Sequence, residues 1–330
     1  ISIIPPTKRI LQIFASILYF IAALLMFYEL EQADLHFEQF IQEFNKTYSN
    51  ETEKTKRFHI FKENLRKINQ MNRNENELAE FGINNFSDMT NEEFVQIYGC
   101  TNLKPPKPCT PAPESHKSIE VPETFDWRTK NKVTKVKMQG ACGSCWTFST
   151  TGSVEGAYAI KYNELKEFSE QQLLDCILDN DGCGGGTLPS KKKFFLRYLK
   201  SQGVIQEGDY PYEGRQGDCR YNPAKIAAKV TECYSHNAKT EDELKQALVH
   251  YGPLAIDVHP YKGGILERCA GEHLNHAVLL VGYGIENEVP YWIIKNSWDT
   301  TFGEEGYFRV RRNINACSIL NPNTVSPVIA

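Results

Sequence analysis

The chain has 330 residues, a formal net charge of −4, 41% hydrophobic residues and 24% charged residues. This length suits about two domains, and the composition is that of an ordinary globular protein. The charge is small and no long basic block occurs, which argues against a nucleic-acid partner. Ten cysteines are more than a typical cytosolic chain carries, and they indicate an oxidising compartment.

The N-terminus has the pattern of a secretory signal. Lys8 and Arg9 precede an apolar run over residues 10–28, and acidic residues follow it. This order of charges is typical of a segment that inserts with its positive side inward. Residues 1–33 are therefore predicted to be a signal peptide or a signal anchor. The chain does not begin with Met, so the encoded start is expected upstream.

The apolar run leaves three interpretations open. It exceeds the ~7–15 residues of an ordinary signal core, so a retained anchor and a buried core helix stand beside a cleaved signal. We expect the secretory pathway, with the lysosome or the extracellular space as destination. Contact with a membrane is expected only if the segment is retained.

Residues 34 to about 98 are predicted to be helical. An apolar stripe at helical spacing runs along residues 53–72; its members are Phe58, Phe61, Leu65, Ile68 and Met71. The Pro-rich stretch 104–113 reads as a linker, because proline neither continues a helix nor pairs centrally in a sheet. A second composition, rich in Gly, Cys and aromatic residues, begins at residue 121.

The part after residue 121 divides into two halves. Ser169 and Thr240 are each followed three residues later by Gln or Glu, which predicts two helix N-termini; Gly252 is predicted to end the second helix. Short β-branched or aromatic runs at 276–284, 290–296 and 306–312 predict strands. A helical half and a strand half predict two subdomains with a cleft between them.

The sequence "QGACGSCW" holds Cys142 and Cys145, for which three uses are open. A redox pair would require a thioredoxin-like βαβ context, which is not evident. A zinc site would require a second ligand pair; Cys176 and Cys183 lie six residues apart without a histidine cluster. The remaining use is one bridge cysteine beside one reactive thiol. We expect no metal and no cofactor.

Cys145 is the better candidate for the reactive thiol. A helix is predicted to begin there, and a helix N-terminus favours the thiolate. His276 opens a strand in the other half and can supply an imidazolium. Asn296 can accept from its ring N–H, and Trp298 can shield that bond. Gln139, with the backbone N–H of Cys145, can hold a developing oxyanion.

These residues, in "QGACGSCW", "NHAV" and "KNSW", resemble the papain family of cysteine proteases. The resemblance implies that Cys145 is the nucleophile, His276 the general base and acid, Asn296 the orienting residue and Gln139 an oxyanion donor. It also implies an α+β fold over residues 121–330, a papain-like two-subdomain peptidase with a helical left lobe and an antiparallel β-barrel-like right lobe.

The resemblance extends upstream to the ERFNIN and GxNxFxD propeptide patterns. The matching residues are Glu53, Arg57, Phe61, Asn64, Ile68, Asn72, Gly82, Asn84, Phe86 and Asp88. They imply a cathepsin-L-like zymogen similar to baculoviral and insect cathepsins. A small helical inhibitory prodomain at 34–98 then acts as an intramolecular inhibitor, and a Pro-rich activation linker at 99–120 is cut near 118–121.

N-x-T sequons at Asn45 and Asn50 predict glycans in this prodomain. Asn85 is also in a sequon, but it lies inside a packed motif, and we expect no glycan there.

The resemblance also implies three disulfides, Cys142–Cys183, Cys176–Cys219 and Cys269–Cys317, and leaves Cys145 unpaired. Three cysteines stay open: Cys100 and Cys109 pair with each other, or one of them reaches Cys233.

On the substrate side, Gly185 and Gly186 resemble the family's glycine strand, where a peptide can approach closely. The remaining substrate-binding candidates are Leu188, Ala255, Ala277 and Trp298. The resemblance implies that Leu188, Ala255 and Ala277 line the pocket for the residue two positions before the scissile bond. Because these side chains are small or apolar, we expect Leu, Val or Phe there, with broad selectivity. Two departures bear on this cleft: segment 252–265 is shorter than is usual, and Asp299 and Phe302 stand where Gly and Trp are usual. No insertion resembles that of exopeptidase relatives, so an endopeptidase is favoured.

Two other classes of protein were weighed. A catalytically silent peptide-binding relative would usually lack the nucleophile, whereas all four catalytic positions are present. An inhibitor made of the prosegment alone is disfavoured because the peptidase portion is complete. We expect a monomer that acts on proteins and peptides.

Overall fold

The computed structural model describes residues 27–73, 79, 81–98, 109–113, 120–178, 180–186, 194–258, 265–266, 276–321 and 324–330, and of residues 194–197 and 258 only the backbone. Most of the predicted signal segment and much of the linker lie outside these ranges. The chain forms two compact units that divide between Thr90 and Asn91. Among the described residues, no helix is both long and apolar enough to cross a membrane.

The helices, in chain order, are α1 (Ala33–Glu43), α2 (Glu51–Asn72), α3 (Asn91–Tyr98), α4 (Cys145–Tyr162), α5 (Glu170–Cys176), α6 (Phe194–Gln202) and α7 (Glu241–Tyr251). The strands are β1 (Thr110–Pro111), β2 (Phe125–Asp126), β3 (Val204–Ile205), β4 (Ile226–Ala228), β5 (Val230–Ser235), β6 (Leu254–Val258), β7 (Ile265–Leu266), β8 (His276–Glu286), β9 (Val289–Lys295), β10 (Tyr307–Arg311) and β11 (Val325–Ile329).

The first unit is built on the apolar faces of α1 and α2. The predicted stripe of α2 is buried at its centre against phenylalanines of α1. The buried residues of this cluster are Ala33, Phe37, Phe40, Phe61, Leu65 and Ile68. Helix α2 begins after Asn50, whose side chain accepts a hydrogen bond from the Glu53 N–H at 2.9 Å, an N-cap that satisfies one of the free backbone donors.

Residues 81–90 are not helical, so the prediction of helix throughout 34–98 was wrong here. Polar side chains of α2 hold this segment in place instead. Asn64 Nδ2 donates to the carbonyls of Ser87 and Met89 at 2.9 and 2.8 Å. Asn72 bonds both the N–H and the carbonyl of Phe81. The polar residues of the two propeptide motifs therefore hold the segment 81–90 against α2 by hydrogen bonds.

Asp88 connects the non-helical segment 81–90 to α2 and to the loop before α2. Its carboxylate accepts from Tyr48 at 2.9 Å and pairs with Lys46 at 3.1 Å, while Arg57 donates to its carbonyl at 3.1 Å. Asp88 is buried, so these donors replace the water that its charge has lost.

The second unit contains a sheet in the order β1-β5-β11-β6-β8-β9-β10-β7, with β2 beside β8. Pairs from β8 to β10 are antiparallel, in agreement with the predicted strands. Helix α4 packs against β8 and β11. Ser169 and Thr240 cap α5 and α7 as predicted, accepting from the N–H of Gln172 and Glu243, and Gly252 ends α7 with a φ of 97°.

The linker prediction missed a strand. Thr110 and Pro111 form β1, which pairs in parallel with Tyr234 and Ser235 of β5. Because β1 lies at the edge of the sheet, the missing N–H of Pro111 is tolerated.

We predict that Asn64→Ala weakens the first unit, because two partly buried carbonyls lose their donor. Each lost bond should cost about 1 kcal/mol, so amide exchange of residues 81–89 should accelerate about 10-fold or more in native-state hydrogen exchange.

Glu63→Ala is the matched control on the same helix, since Glu63 pairs only with the exposed Arg66 in the described structure. Equal exchange rates in the two variants would contradict the fastening function of Asn64.

Candidate active site

Cys145 is the first residue of α4 and is fully buried. One helical turn later, Ser149 Oγ donates to the carbonyl of Val278 at 2.5 Å. Residues four apart share one face of a helix, and His276 lies two residues before Val278 on β8. The helix therefore presents the face that carries Cys145 to the start of the strand that carries His276.

His276 is bound to Asn296, which directly follows β9. The distance from His276 Nε2 to Asn296 Oδ1 is 2.7 Å. Asn296 Oδ1 also accepts from the N–H of Ser297 at 2.8 Å, which identifies it as the carbonyl oxygen and makes Nε2 the protonated ring nitrogen. Within the described chain, His276 Nδ1 has no hydrogen-bond partner, and in this tautomer it can accept a proton.

Trp298 covers the imidazole. Its ring stacks on that of His276 with centroids 4.4 Å apart and an interplanar angle of 24°. Burial lowers the pKa of His276 to about 4, against the opposing effect of the Asn296 hydrogen bond. The ring is therefore neutral at ordinary pH in this state, because a buried imidazolium would need a nearby negative charge.

Gln139 is oriented by the same residues. Its Oε1 accepts from Ser297 Oγ at 2.7 Å and from Trp298 Nε1 at 3.2 Å, which leaves Nε2 as the outward donor. Nε2 donates to the carbonyl of Cys142 at 2.8 Å and lies 3.4 Å from that of Tyr98. Gln139 is fully buried, whereas a glutamine would ordinarily lie at the surface.

Helix α3 packs against this site. The sequence assigns residues 91–98 to the prodomain, and the structure places them in the same compact unit as the peptidase strands. Phe94 meets Trp298 edge-on with centroids 5.1 Å apart. Phe302 meets the same indole at 4.9 Å, so an aromatic residue is kept where the family usually has Trp.

The cysteines are oxidised throughout the described residues. Cys142–Cys183 and Cys176–Cys219 are bridged with Cα atoms 4.5 and 4.8 Å apart. One of the open alternatives also holds, since Cys109 bonds Cys233 with Cα atoms 5.3 Å apart. Cys317 is disulfide-bonded as well; the expected partner Cys269 lies outside the described residues.

The expectation that Cys145 is unpaired was wrong for this state of the chain. Cys145 is disulfide-bonded, and its partner lies outside the described residues. A sulfur in a disulfide is no thiolate, so the bonded Cys145 is not a nucleophile in this state.

The substrate-side candidates are partly described. Ala255 and Ala277 are buried in neighbouring strands, in one apolar cluster with Cys145 and Trp146. A Cβ on Gly186 would lie 2.8 Å from the Trp146 ring, so packing against the indole already requires glycine there.

Backbone conformation explains two other positions on that side. Gly185 has a φ of 119° and Asp299 a φ of 67°, both in the left-handed region where glycine is favoured. Leu188 lies outside the described residues.

The sequence analysis missed a buried charged cluster beside the site. Lys137 Nζ contacts Glu155 at 2.8 Å and Glu170 at 2.7 Å, and Lys295 donates to Thr134 at 2.9 Å. Lys295 directly precedes Asn296, and Lys137 lies two residues before Gln139. The available signal was a lone Lys295 after the apolar run 291–294 and a lone Glu155 within an otherwise uncharged stretch of α4.

The charges in this cluster balance one another. Burial would raise the pKa of Glu155, but Lys137 and Lys295 outweigh it and the pKa is lowered. Burial raises the pKa of Glu170 in spite of Lys137, and lowers that of Lys295 to about 8. Because Glu155 is on α4 and Lys295 is on β9, the cluster ties the helix of Cys145 to the strand that leads into Asn296.

The fold and site define a two-lobed cysteine peptidase. Residues 121–327 match the papain family cysteine protease domain, and residues 37–94 match the cathepsin propeptide inhibitor domain (I29). The chain belongs to the papain family of cysteine proteases and is a cysteine peptidase zymogen. The expected fold class is thereby confirmed.

Known relatives agree over nearly the whole chain. The viral cathepsins of Choristoneura fumiferana nuclear polyhedrosis virus and Orgyia pseudotsugata multicapsid polyhedrosis virus are 45% and 46% identical to it over 303 residues, which is 89% of this chain and 92% of each relative. The digestive procathepsin L2 proteinase from Tenebrio molitor larval midgut superposes with a TM-score of 0.82 at 33% identity, covering 89% of this chain and 99% of that one.

We predict that Lys137→Met destabilises the precursor by about 3–5 kcal/mol, because it leaves two buried carboxylates without their shared cation. Urea unfolding with the disulfides intact measures this.

Lys135→Met is the matched control, since Lys135 is 72% exposed and its 3.3 Å pair with Glu167 should contribute less than about 1 kcal/mol. If both variants unfold at the same urea concentration, the cluster does not have the stabilising function assigned to it.

Proposed function

We propose that the chain is the precursor of a cysteine endopeptidase that hydrolyses peptide bonds through Cys145, His276 and Asn296. The observation that carries the proposal is the 2.7 Å bond between His276 and Asn296 under Trp298. It fixes the ring so that Nδ1 is the nitrogen that takes the thiol proton. The packing of α4 on β8 supports the pairing of this nitrogen with Cys145.

After reduction, the reaction proceeds in two halves. The Cys145 thiolate attacks the substrate carbonyl, and the oxyanion accepts from Gln139 Nε2 and the Cys145 N–H. His276 then protonates the leaving amine, and a thioester remains. His276 next removes a proton from water, which attacks the thioester, releases the acid and restores the thiolate.

The prosegment inhibits the site through α3. The second N–H of Gln139 Nε2 points towards the Tyr98 carbonyl, as it would towards an oxyanion. Phe94 covers the edge of Trp298. A substrate can reach both residues only when α3 leaves, and cleavage near residues 118–121 would start that process.

Other properties follow from the sequence and remain proposals. The small residues Ala255 and Ala277 support a preference for Leu, Val or Phe two positions before the scissile bond. A cleaved signal or retained anchor would direct the protein to the secretory pathway, with the lysosome or the extracellular space as destination. Asn45 and Asn50 are exposed, which supports glycosylation of the prodomain, and we propose that the enzyme is a monomer.

One labelling experiment tests this function. The precursor is acidified with a thiol reductant and treated with an epoxide affinity label and with Leu-Arg or Phe-Arg peptide substrates. We expect the label on Cys145 and turnover of both peptides. Without the reductant, labelling should be largely lost, because the sulfur is bonded.

Cys145→Ser is the control, and its turnover should fall by about 10⁴-fold or more. Tight peptide binding with neither label nor turnover in the reduced protein would instead favour a catalytically silent peptide-binding protein.

A further inference from the structure

The disulfide Cys109–Cys233 joins the activation linker to the peptidase sheet. Cys109 belongs to the linker, and Cys233 lies in β5. Both are buried, with 5% and 2% of their surface exposed. They belong to the same apolar cluster as Val230 of β5 and Val325 of β11, so the bridge is part of the peptidase core.

Backbone contacts continue on the C-terminal side of the bridge. The Ala112 N–H donates to the carbonyl of Ser235 at 3.1 Å, and Ser235 Oγ donates to the carbonyl of Cys109 at 3.1 Å. Thr110 Oγ1 donates to Glu232 at 3.2 Å. With the pairing of β1 to β5, residues 109–113 have the contacts of an edge strand that shields β5 from solvent.

We propose that residues 109–113 stay in the mature enzyme as a disulfide-linked edge strand after the linker is cut. The inference rests on the proposed function only for the cut near residues 118–121. Hydrolysis there adds water across one amide bond and leaves the sulfur–sulfur bond unchanged. A single cut between Pro113 and Glu120 therefore yields two chains that remain covalently joined.

This tether affects activation. After one cut the prodomain is still attached to the peptidase through the bridge, so its rebinding is intramolecular and inhibition persists. Free enzyme requires a second cut on the N-terminal side of Cys109, which leaves a short peptide on β5, or reduction of the bridge.

The test separates this inference from the proposed activity. The Cys145→Ser precursor, which cannot process itself, is cut in the linker either by matured wild-type enzyme cleared of reductant or by a glutamate-specific protease, for which Glu114 and Glu120 are sites. Free thiols are alkylated, and intact masses are compared before and after reduction. We expect a peptide containing residues 109–113 to be bound before reduction and lost after it, and a linked Cys109–Cys233 fragment in the peptide map.

A cleaved peptidase that lacks this peptide before reduction would overturn the inference and leave the Cys145 labelling result untouched. Cys109→Ser should release the peptide without reductant, whereas Thr110→Ala, which keeps the bridge, should retain it. If Cys109→Ser does not fold, the comparison of intact masses before and after reduction still tests the inference.

Discussion

The site depends on one buried hydrogen bond, that between His276 Nε2 and Asn296 Oδ1. It selects the ring tautomer, and Trp298 holds the ring from one side by stacking. The indole N–H of Trp298 in turn bonds Gln139, so the same side chain positions the proposed base and the proposed oxyanion donor. A displacement of Trp298 would disturb both at once, which makes this tryptophan the main positioning residue of the site.

The contacts of α3 and the disulfide of Cys145 involve the same groups. Phe94 packs on Trp298, the Tyr98 carbonyl lies by Gln139 Nε2, and the sulfur of Cys145 is bonded. The first two are non-covalent and are removed when α3 departs. The third is covalent, so two independent features of the described state oppose the proposed reaction.

Many of the helices and strands could be predicted from the sequence, because they depend on residues that are close together along the chain. The caps at Ser169 and Thr240 depend on residues three apart, and the helix at Cys145 and the strand at His276 follow from local pattern. The fold and the four proposed catalytic positions came from motif resemblance, which carries long-range information that periodicity lacks.

The remainder depends on contacts distant in sequence. No local pattern shows that Cys109 meets Cys233 across 124 residues, or that Lys137 pairs with both Glu155 and Glu170. Gly186 was predicted to let a substrate peptide approach closely, whereas a Cβ at this position would meet the Trp146 ring. Residues 81–90 were included in the helical segment predicted for 34–98, but side chains of α2 bind their backbone in a non-helical form.

The central claim is that His276 exchanges a proton with the sulfur of Cys145, and an NMR titration of the His276 ring tests it most directly. The comparison is between reduced, matured wild-type enzyme and matured Cys145→Ser. In the variant, burial should keep the pKa of His276 below its ordinary value. In the wild type, a thiolate would favour the imidazolium, so the pKa should lie at least about one pH unit higher. Equal pKa values in the two proteins would show that no such ion pair forms, and would contradict the account.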